Sequence, residues 1–450
     1  MIDILWNLLS FILALAILIA VHEWGHFWVA RRCGVRVERF SLGFGKVLLS
    51  RTDRQGTEYS LSLIPLGGYV KMLDERVEAV PEALRDQAFN NKPVWQRFAI
   101  VAAGPIANFV FALFAFWLVF MLGVSTIKPV IGEVAPQSAA AQAALQPGME
   151  IVQVGDEVTA DWEAVAYALV SHLGDDAIAL TVIDDRGIRV EKQLSLQGWH
   201  LDGKEEQAPF VALGIEPLGP QVTLEVAQLV PGGSAEQAGL QVGDRLMTAN
   251  GQSLTDWQQF VELIQASPEI PITLAVMRHG SQQQFELTPA ARESQGKKQG
   301  YVGLAPKVLP LDEKYRVELQ YGPVDALWAG AQRTLSTMSL TLEMLKKLIT
   351  GVVSLDNLSG PISIAKGAGS TASFGLVYFL GFLALVSVNL GIINLFPLPV
   401  LDGGHLLFFV IEAIKGSPVS EKVQEYAFKF GAAVLVCLMG IALFNDFVRL

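Results

Sequence analysis

Four long stretches without a charged residue constrain this sequence more than any other feature. They run from Ile4 to Val21, from Phe98 to Ile127, from Gly367 to Leu401 and from Phe430 to Asn445. A helix of roughly 20 apolar residues crosses the hydrocarbon core of a bilayer. The last stretch is the shortest, and the apolar stem of Lys429 can extend it. The sequence therefore predicts a multi-pass α-helical membrane protein with four transmembrane helices.

The composition agrees with a membrane protein that carries soluble inserts. Hydrophobic residues make up 51% of the chain and charged residues 17%. The net charge of -11 argues against nucleic acid as a partner, because phosphate binding needs a basic surface. The two cysteines, Cys33 and Cys437, cannot build a disulfide framework or a cysteine-rich zinc site. The first stretch lacks a basic start and a small-residue cleavage site, so we interpret it as a retained helix and not a signal peptide.

Basic residues near the span ends predict the orientation. Arg31, Arg32, Arg36 and Arg39 follow the first span, and Lys415, Lys422 and Lys429 lie between the third and fourth. Loops rich in lysine and arginine stay on the cytoplasmic side. Both termini and the long insert from about 128 to 366 are therefore expected on the opposite side. In a Gram-negative bacterium that side is the periplasm.

The first span ends in the run His22-Glu23-Trp24-Gly25-His26, an H-E-x-x-H pattern. On a helix, positions i and i+4 share a face, so both imidazoles can reach one ion. Zinc suits such ligands, and Glu23 can take a proton from a water molecule at the metal. The alternative is a His/Glu cluster at a helix end that water satisfies. The cost of such residues beside an apolar span favours the functional interpretation.

Asp402 is the candidate for the third ligand. It follows a long uncharged stretch, where a carboxylate is costly unless a cation pairs with it. The orientation argument places it on the same side as His26. Pro397 and Pro399 cannot continue a regular helix, so the third span is expected to break before Asp402. That break is expected to place Asn394, Pro397 and Pro399 at the substrate-binding cleft. Asn394 then either binds the substrate backbone or packs between helices.

Residues 57–72, TEYSLSLIPLGGYVKM, predict a β-hairpin or looped strand at the membrane edge. A transmembrane substrate is helical and has to be unwound before its peptide bonds are accessible. A free strand edge near Gly67, Gly68 and Tyr69 could pair with the unwound segment. The alternative is an ordinary cytoplasmic hairpin.

The long insert contains a repeat with an offset of 95 residues. The matching positions are Pro136 with Pro231, Gly148 with Gly243, and Asp161-Trp162 with Asp256-Trp257. Both copies share a pattern of turn, short helix, second turn and strand. The run from Ser234 to Leu246 is similar to bacterial PDZ domains. The sequence therefore predicts two inserted α+β PDZ-like domains.

The PDZ resemblance implies a peptide-docking edge in each copy. The expected positions are Leu213-Gly214-Ile215 in the first copy and Gly303-Leu304 in the second. PDZ domains bind extended peptides or chain ends by adding a strand to a sheet. The alternative is that both copies are spacers without a ligand.

The pair HEWGH and NLFPLPVLDGG resembles the site-2 protease family of intramembrane zinc metalloproteases, whose second motif reads N-x-x-P-x-P-x-L-D-G. Three further runs match that family: PLGGYVKML at 65–73, GPIAN at 104–108 and LSGPISIAKGAG at 358–369. The resemblance implies His22, His26 and Asp402 as zinc ligands, Glu23 as the base and Asn394 in substrate handling. Within the GPIAN run, Gly104 and Asn108 are interpreted as helix-packing residues.

The resemblance also implies substrates and a location. The substrates are single-span membrane proteins already shortened on the periplasmic side, with an anti-sigma factor of an envelope stress response as the signalling substrate and leftover signal peptides as a second class. The PDZ pair would act as a gate or bind peptide ends. The expected location is the bacterial inner membrane, with the PDZ domains and both termini periplasmic.

The expected organisation follows from these segments. The predicted ranges are a first transmembrane helix at 1–30, a cytoplasmic loop with the hairpin at 31–96, a second helix at 97–125, PDZ-like domains at 126–219 and 220–309, an amphipathic connector at 310–366, a third helix at 367–404, a cytoplasmic loop at 405–428 and a fourth helix at 429–450. The connector is expected either on the bilayer surface or against the PDZ pair.

Two other functions compete with a protease. Intramembrane histidine and aspartate residues also line ion pathways, which would make the chain a zinc transporter. The PDZ pair alone would suit a non-catalytic receptor or membrane scaffold.

Overall fold

A computed structural model describes residues 2–200, 208–294 and 297–448. The chain forms two compact units, one made of Met1–Pro129, Val134–Ile215 and Val317–Leu450, the other of Val130–Glu133 and Glu216–Arg316. The α-helices are α1 Ile2–Arg32, α2 Val94–Leu122, α3 Ala139–Gln142, α4 Trp162–Ser171, α5 Pro209–Ala212, α6 Ser234–Gln237, α7 Trp257–Ala266, α8 Pro323–Thr350, α9 Pro361–Phe374, α10 Leu376–Leu395, α11 Asp402–Lys415 and α12 Glu421–Val448.

The strands are short except in one hairpin. They are β1 Val37–Thr52, β2 Glu58–Met72, β3 Val124–Ile127, β4 Ile131–Val134, β5 Glu150–Val154, β6 Glu157–Val158, β7 Ala177–Ile183, β8 Arg189–Ser195, β9 Ile215–Pro217, β10 Gln221–Leu229, β11 Arg245–Ala249, β12 Gln252–Ser253, β13 Ile272–Arg278, β14 Ser281–Leu287, β15 Ala290–Ser294, β16 Lys297–Tyr301, β17 Leu304–Leu309 and β18 Arg316–Leu319.

Four helices in the described part of the chain are long and apolar enough to cross a membrane, as predicted. They are Asp3–Arg32, Val94–Leu122, Leu376–Leu395 and Glu421–Val448. The fourth is longer than its uncharged stretch, since α12 begins at Glu421 and includes polar residues before the apolar run. These helices and the β-rich inserts together form a membrane protein with inserted β-sheet units.

The third predicted span needs correction, because Gly367 to Leu401 is not one helix. Gly375 has a φ of +115° and separates α9 from α10, a conformation that an L side chain would resist. Helix α10 ends at Leu395, and the two prolines that follow divide it from α11, which confirms the predicted break. Helix α11 also occupies much of the 405–428 segment expected as a loop. The positive charge of that segment indicated its side of the membrane and not its conformation.

Small residues bring the first two spans into close contact. A Cβ added at Gly25 of α1 would lie 2.3 Å from the carbonyl oxygen of Ala103 in α2. Ala112, Ala115 and Phe116 on another part of α2 pack with residues of α10. In membranes such small residues allow helix backbones to approach. Helix α2 therefore contacts both α1 and α10.

Strands β1 and β2 form a sheet of four segments, because both strands bend. Residues 39–42 of β1 pair with 58–61 on one side and with 68–71 on the other. Residues 49–52 of β1 pair with 58–61 from the far side. Among the described residues, the segment from Gly68 to Met72 has a strand partner on one side only. The hairpin thus joins β1 to β2, whereas the sequence interpretation placed it within 57–72.

The insert shows the same element order twice. In the first compact unit, β5, β6 and β7 belong to a sheet of order β6-β5-β7-β8. In the second unit, β10, β11, β13, β14 and β17 form a sheet in which β12 pairs with β11. The bounds of α3, β5, β6, α4 and β7 recur 95 residues later as α6, β11, β12, α7 and β13. Asp161 and Asp256 cap α4 and α7 in the same way.

Helix α8 occupies most of the predicted connector and packs on two of the apolar helices. Its Met338 and Leu345 contact the cluster that α2 and α10 share. Its Lys347 also donates a hydrogen bond to the carbonyl of Ser171 at the end of α4, at 2.7 Å. Burial lowers the pKa of Lys347. The connector therefore contacts both the helical core and the first insert copy.

A buried ion pair in the second unit predicts a pH-dependent stability. The Asp244 carboxylate accepts hydrogen bonds from Arg278 at 2.6 and 2.7 Å and from the Gln241 N–H at 2.8 Å. Burial alone would raise the pKa of Asp244, but these donors outweigh it and hold the pKa below its ordinary value. Asp244→Asn should cost about 1–3 kcal/mol at neutral pH. Because the folded pKa is lowered, this difference should persist above about pH 4 and disappear as the pH falls further.

Urea-dependent protease resistance of the second unit, followed at several pH values, checks this prediction. Glu269→Gln is the matched control, since the Glu269–Lys298 pair is exposed and exposed pairs contribute little. Equal resistance of Asp244→Asn and the parent chain at pH 7 would contradict the prediction.

Candidate active site

Three donor atoms converge between α1 and the start of α11. His22 and His26 lie one turn apart on α1, and their Nε2 atoms are 3.2 Å from each other. The Asp402 Oδ2 atom lies 3.1 Å from Nε2 of His22 and 3.4 Å from Nε2 of His26. Asp402 is the first residue of α11. The structure thus brings together the three residues that the sequence predicted as ligands.

These distances fit a zinc ion. Nitrogen and oxygen ligands at about 2.0–2.2 Å in a tetrahedron lie about 3.3 Å from one another. The Asp402 Oδ2 atom is buried and makes no hydrogen bond of acceptable geometry with any described residue, although two imidazole nitrogens lie beside it. Two imidazoles and one carboxylate leave a fourth position open, as in catalytic zinc centres. The residues present therefore suit the metal that the sequence indicates.

The break between α10 and α11 places Asp402 at this point. A Cβ at Gly403 would lie 2.3 Å from the Leu395 carbonyl oxygen, and one at Gly404 2.3 Å from the Pro399 Cα. Only glycine allows the turn to fold this tightly against the first residues of α11. Further along α11, Glu412 accepts hydrogen bonds at 2.6 and 3.1 Å from Arg97 of α2. This paired, charge-assisted contact holds α11 against α2.

Gly104 of α2 leaves room for both imidazoles. A Cβ at Gly104 would lie 2.3 Å from Nε2 of His26 and 2.9 Å from Cε1 of His22. The sequence interpretation treated Gly104 as a helix-packing residue. It does allow close approach, but the groups that approach it are the histidine rings themselves.

Two groups of α2 hold the far side of the rings. The Nδ1–H of His26 donates to the Ile100 carbonyl oxygen at 2.9 Å, which leaves Nε2 with its lone pair. Nδ1 of His22 lies 3.1 Å from the side-chain amide nitrogen of Asn108. Asn108 is fully buried. The sequence analysis missed this contact, although an asparagine inside an uncharged span was a signal for it.

Glu23 lines a cavity of about 490 Å³ beside the three ligand atoms. The Gly68 and Tyr69 residues of β2 line the same cavity. A Cβ at Gly68 would lie 3.1 Å from Cγ of Glu23. The outer segment of β2, Gly68 to Met72, therefore contacts this glutamate. Polar residues also line the cavity, namely Asp74, Arg76, Arg97 and Glu412. Water can therefore reach the site along a polar wall.

The other predicted substrate residues lie outside the residues that line this cavity. Asn394 is half-buried in the last turn of α10, and its side chain makes no hydrogen bond within the described part of the chain. Pro397 and Pro399 form the break that follows it. Gly67 has a φ of +124° and adjoins the cavity through Gly68.

The predicted peptide-docking residues occupy equivalent turns in the two insert copies. The Gly214 carbonyl accepts from the Ala135 N–H at 2.9 Å, and the Gly303 carbonyl accepts from the Val230 N–H at 2.7 Å. Both glycines have a positive φ, +87° and +72°. Leu213 precedes the first turn, and Ile215 and Leu304 begin the strands β9 and β17.

The fold and the site define a class of protein. An H-E-x-x-H pair on the first apolar helix, a carboxylate beside both imidazoles and a cavity with polar lining next to the glutamate are features of a membrane-embedded metalloprotease. The comparison with known families agrees, since the model of peptidase family M50 matches residues 10–438. The chain belongs to peptidase family M50, the family of site-2 proteases.

Relatives that match this chain over its full length are named as proteases. The chain is 55% identical over 451 residues, 100% of both chains, to the "Regulator of sigma-E protease RseP" of Salmonella typhimurium (strain 14028s / SGSC 2262). The same identity and coverage hold for the protein of that name from Escherichia coli (strain K12). A "Putative zinc metalloprotease" of Vibrio cholerae is 54% identical over 453 residues, again 100% of both chains. The chain is therefore a zinc metalloprotease of the intramembrane, site-2 type.

The contact at Gly104 generates a prediction. Gly104→Ala places a methyl group against both imidazoles, so zinc affinity should fall at least about 10-fold as the rings are displaced. Zinc content after dialysis of the purified, full-length protein measures this. Gly381→Ala in α10 is the matched control, because its Cβ would meet no atom of the described residues within 4 Å. Equal zinc retention by the two variants would contradict the prediction.

Proposed function

We propose that this chain holds one zinc ion through His22, His26 and Asp402 and hydrolyses peptide bonds inside transmembrane segments. Glu23 is the catalytic base. The observation that carries the proposal is the mutual spacing of the three donor atoms, 3.1 to 3.4 Å, which suits tetrahedral zinc. The donors sit beside a cavity that the neighbouring glutamate also lines.

The zinc ion and Glu23 have different roles in the proposed hydrolysis. Zinc, when bound, supplies a Lewis acid that polarises the scissile carbonyl and acidifies a water molecule. Glu23 accepts a proton from that water, whose oxygen then bonds to the carbonyl carbon. The same carboxyl group returns the proton to the amide nitrogen as the C–N bond breaks. Hydrolysis thus consumes one water molecule and leaves Glu23 unchanged.

The outer segment of β2 presents the substrate to the site. A helical substrate has shielded peptide bonds, and unwinding it in a membrane requires replacement hydrogen bonds. Gly68 and Tyr69 lie at a strand edge and line the cavity, so an unwound segment can add there as a further strand. Tyr69 stacks on Phe44 with ring centroids 6.2 Å apart, so an aromatic pair lies at this edge. Gly67 lies in the same segment, and the hairpin associates with the membrane edge.

Asn394 binds the backbone of the unwound substrate. Its amide has no hydrogen-bond partner among the described residues, and the helix ends one residue later. Pro397 and Pro399 keep the segment before Asp402 open. A free amide next to exposed backbone is suited to an unwound peptide, which has donors and acceptors to satisfy.

The substrates are single-span membrane proteins that another protease has already shortened. The names of the relatives, regulators of sigma-E, support an anti-sigma factor as the signalling substrate. Leftover signal peptides are a second class, since they also have one apolar span and little outside it. The enzyme lies in the bacterial inner membrane with its termini and insert periplasmic, an orientation that the basic residues after α1 support.

The two insert copies, 126–219 and 220–309, are PDZ domains that gate access. Their repeated element order supports a common fold. The glycine turns at Gly214 and Gly303 would dock peptide ends, while the bulk of the pair excludes substrates that have not been trimmed. The connector around α8 contacts the first copy through Lys347, so it can relate that copy to the helices.

Glu23→Gln tests the chemistry. The variant should fold and retain zinc, because Glu23 is not a ligand, yet cleave a model transmembrane substrate about 10²–10⁴-fold more slowly. Asp402→Ala is the companion variant and should lose the metal as well. Zinc content and cleavage rate are measured on the same preparations. Cleavage by Glu23→Gln at the parental rate would defeat the proposal.

Asn394→Leu tests substrate binding. Loss of one hydrogen bond to the substrate backbone should lower kcat/KM about 3- to 10-fold with zinc content unchanged. Asn389→Leu is the matched control on the same helix, since Asn389 instead contacts Thr341 of α8 at 2.7 Å. A lowered thermal stability of Asn394→Leu with parental kcat/KM would show the helix-packing role instead.

A further inference from the structure

Three positions of α2, spaced four residues apart, face the two histidines of α1. They are the Ile100 carbonyl, the gap at Gly104 and the Asn108 side chain. Positions four apart share one face of a helix. His26 contacts the first position and His22 the last, so α1 and α2 meet in antiparallel register along this face. One stripe of α2 therefore contacts both rings.

The two contacts have different consequences for the rings. A carbonyl oxygen can only accept, so the Ile100 contact requires Nδ1–H on His26 and leaves its Nε2 free for a metal. Asn108 offers both an acceptor and a donor. With its amide nitrogen toward His22, Nδ1 must accept, and the proton of the neutral ring then sits on Nε2. A protonated Nε2 cannot bind an ion.

The opposite amide orientation resolves this conflict. A half-turn of the amide places Oδ1 against His22 Nδ1, where it accepts the Nδ1–H and frees the Nε2 lone pair. No other hydrogen bond within the described part of the chain opposes the rotation, since Oδ1 is buried there without a partner. The backbone is held separately, because the Ser387 hydroxyl of α10 donates to the Asn108 carbonyl at 2.9 Å. The side-chain amide can therefore turn while α2 stays in place.

We propose that Asn108 is a positioning residue for the metal site, whose amide oxygen accepts the Nδ1–H of His22 and keeps Nε2 directed at zinc. It acts on His22 as the Ile100 carbonyl acts on His26. Partners of this kind fix the tautomer and orientation of a ligating histidine. The inference rests on the proposed zinc site and assigns a role to a residue that the sequence suggested only for helix packing.

The test compares side chains that differ in their ability to accept a hydrogen bond. Asn108→Leu and Asn108→Ala remove the acceptor, whereas Asn108→Asp retains an acceptor oxygen on a side chain of similar size. Zinc affinity of the purified full-length chain is measured by competition with a chelator. The acceptor-free variants should bind zinc about 10- to 100-fold more weakly. Asn108→Asp should remain within about 3-fold of the parent, since carboxylates serve as such partners.

Ser387→Ala is the control, because it removes a hydrogen bond to the Asn108 backbone and leaves the side-chain acceptor in place. Its zinc affinity should match the parent. Equal weakening in the Asp, Ala and Leu variants, or no weakening in any, would overturn the proposal. Unfolding of both acceptor-free variants without metal would show a structural role and would also overturn it. Failure of the proposed zinc site differs from all of these, since the parent chain would then bind no zinc, and failure of the proposed catalysis would leave zinc affinity unchanged and appear only in the cleavage assay.

Discussion

The convergence of His22, His26 and Asp402 on one point is the constraint on which the rest of the fold depends. A carboxylate and two imidazoles beside apolar helices are costly unless a cation compensates them. The helices are arranged to achieve this. Gly25 allows α1 to reach α2, Gly104 makes room for the rings, and the turn before α11 delivers Asp402. Each of these features makes sense as a condition for the metal site.

Hydrolysis inside a membrane adds two further demands, water and an unwound substrate. The cavity next to Glu23 has charged residues in its wall, which suits water entry from an aqueous face. The outer segment of β2 has an edge at the same cavity that no other described strand pairs with. A strand edge supplies the hydrogen bonds that a helix loses when it unwinds. In the proposed function, the hairpin binds the unwound substrate beside the metal site.

Much of this could be predicted from the sequence, because the strongest signals are local. The apolar stretches and the spacing of His22 and His26 indicate helices and a ligand pair without any knowledge of the fold. Asp402 could be predicted since a carboxylate after a long uncharged stretch needs a cation. The prolines before it indicated the break between α10 and α11.

What the sequence did not reveal depends on tertiary contacts. The break at Gly375 lies inside an uncharged run, where a glycine alone does not show whether a helix ends. Helix α11 was not predicted, because the basic residues in 405–428 were interpreted as the mark of a loop. The pairing of β1 with two segments of β2 could not be predicted, because the sequence does not show which residues of the two strands lie opposite each other. The contact of Asn108 with His22 depends on the approach of two helices, so the sequence suggested only packing for it.

The most direct test of the metal site is X-ray absorption at the zinc edge of the purified full-length protein. One zinc per chain should show only nitrogen and oxygen ligands at about 2.0–2.2 Å, with an imidazole signature. Asp402→Ala should change that ligand shell or lose the ion. A sulfur ligand, or an unchanged shell in Asp402→Ala, would contradict the account, because the ion would then lie elsewhere.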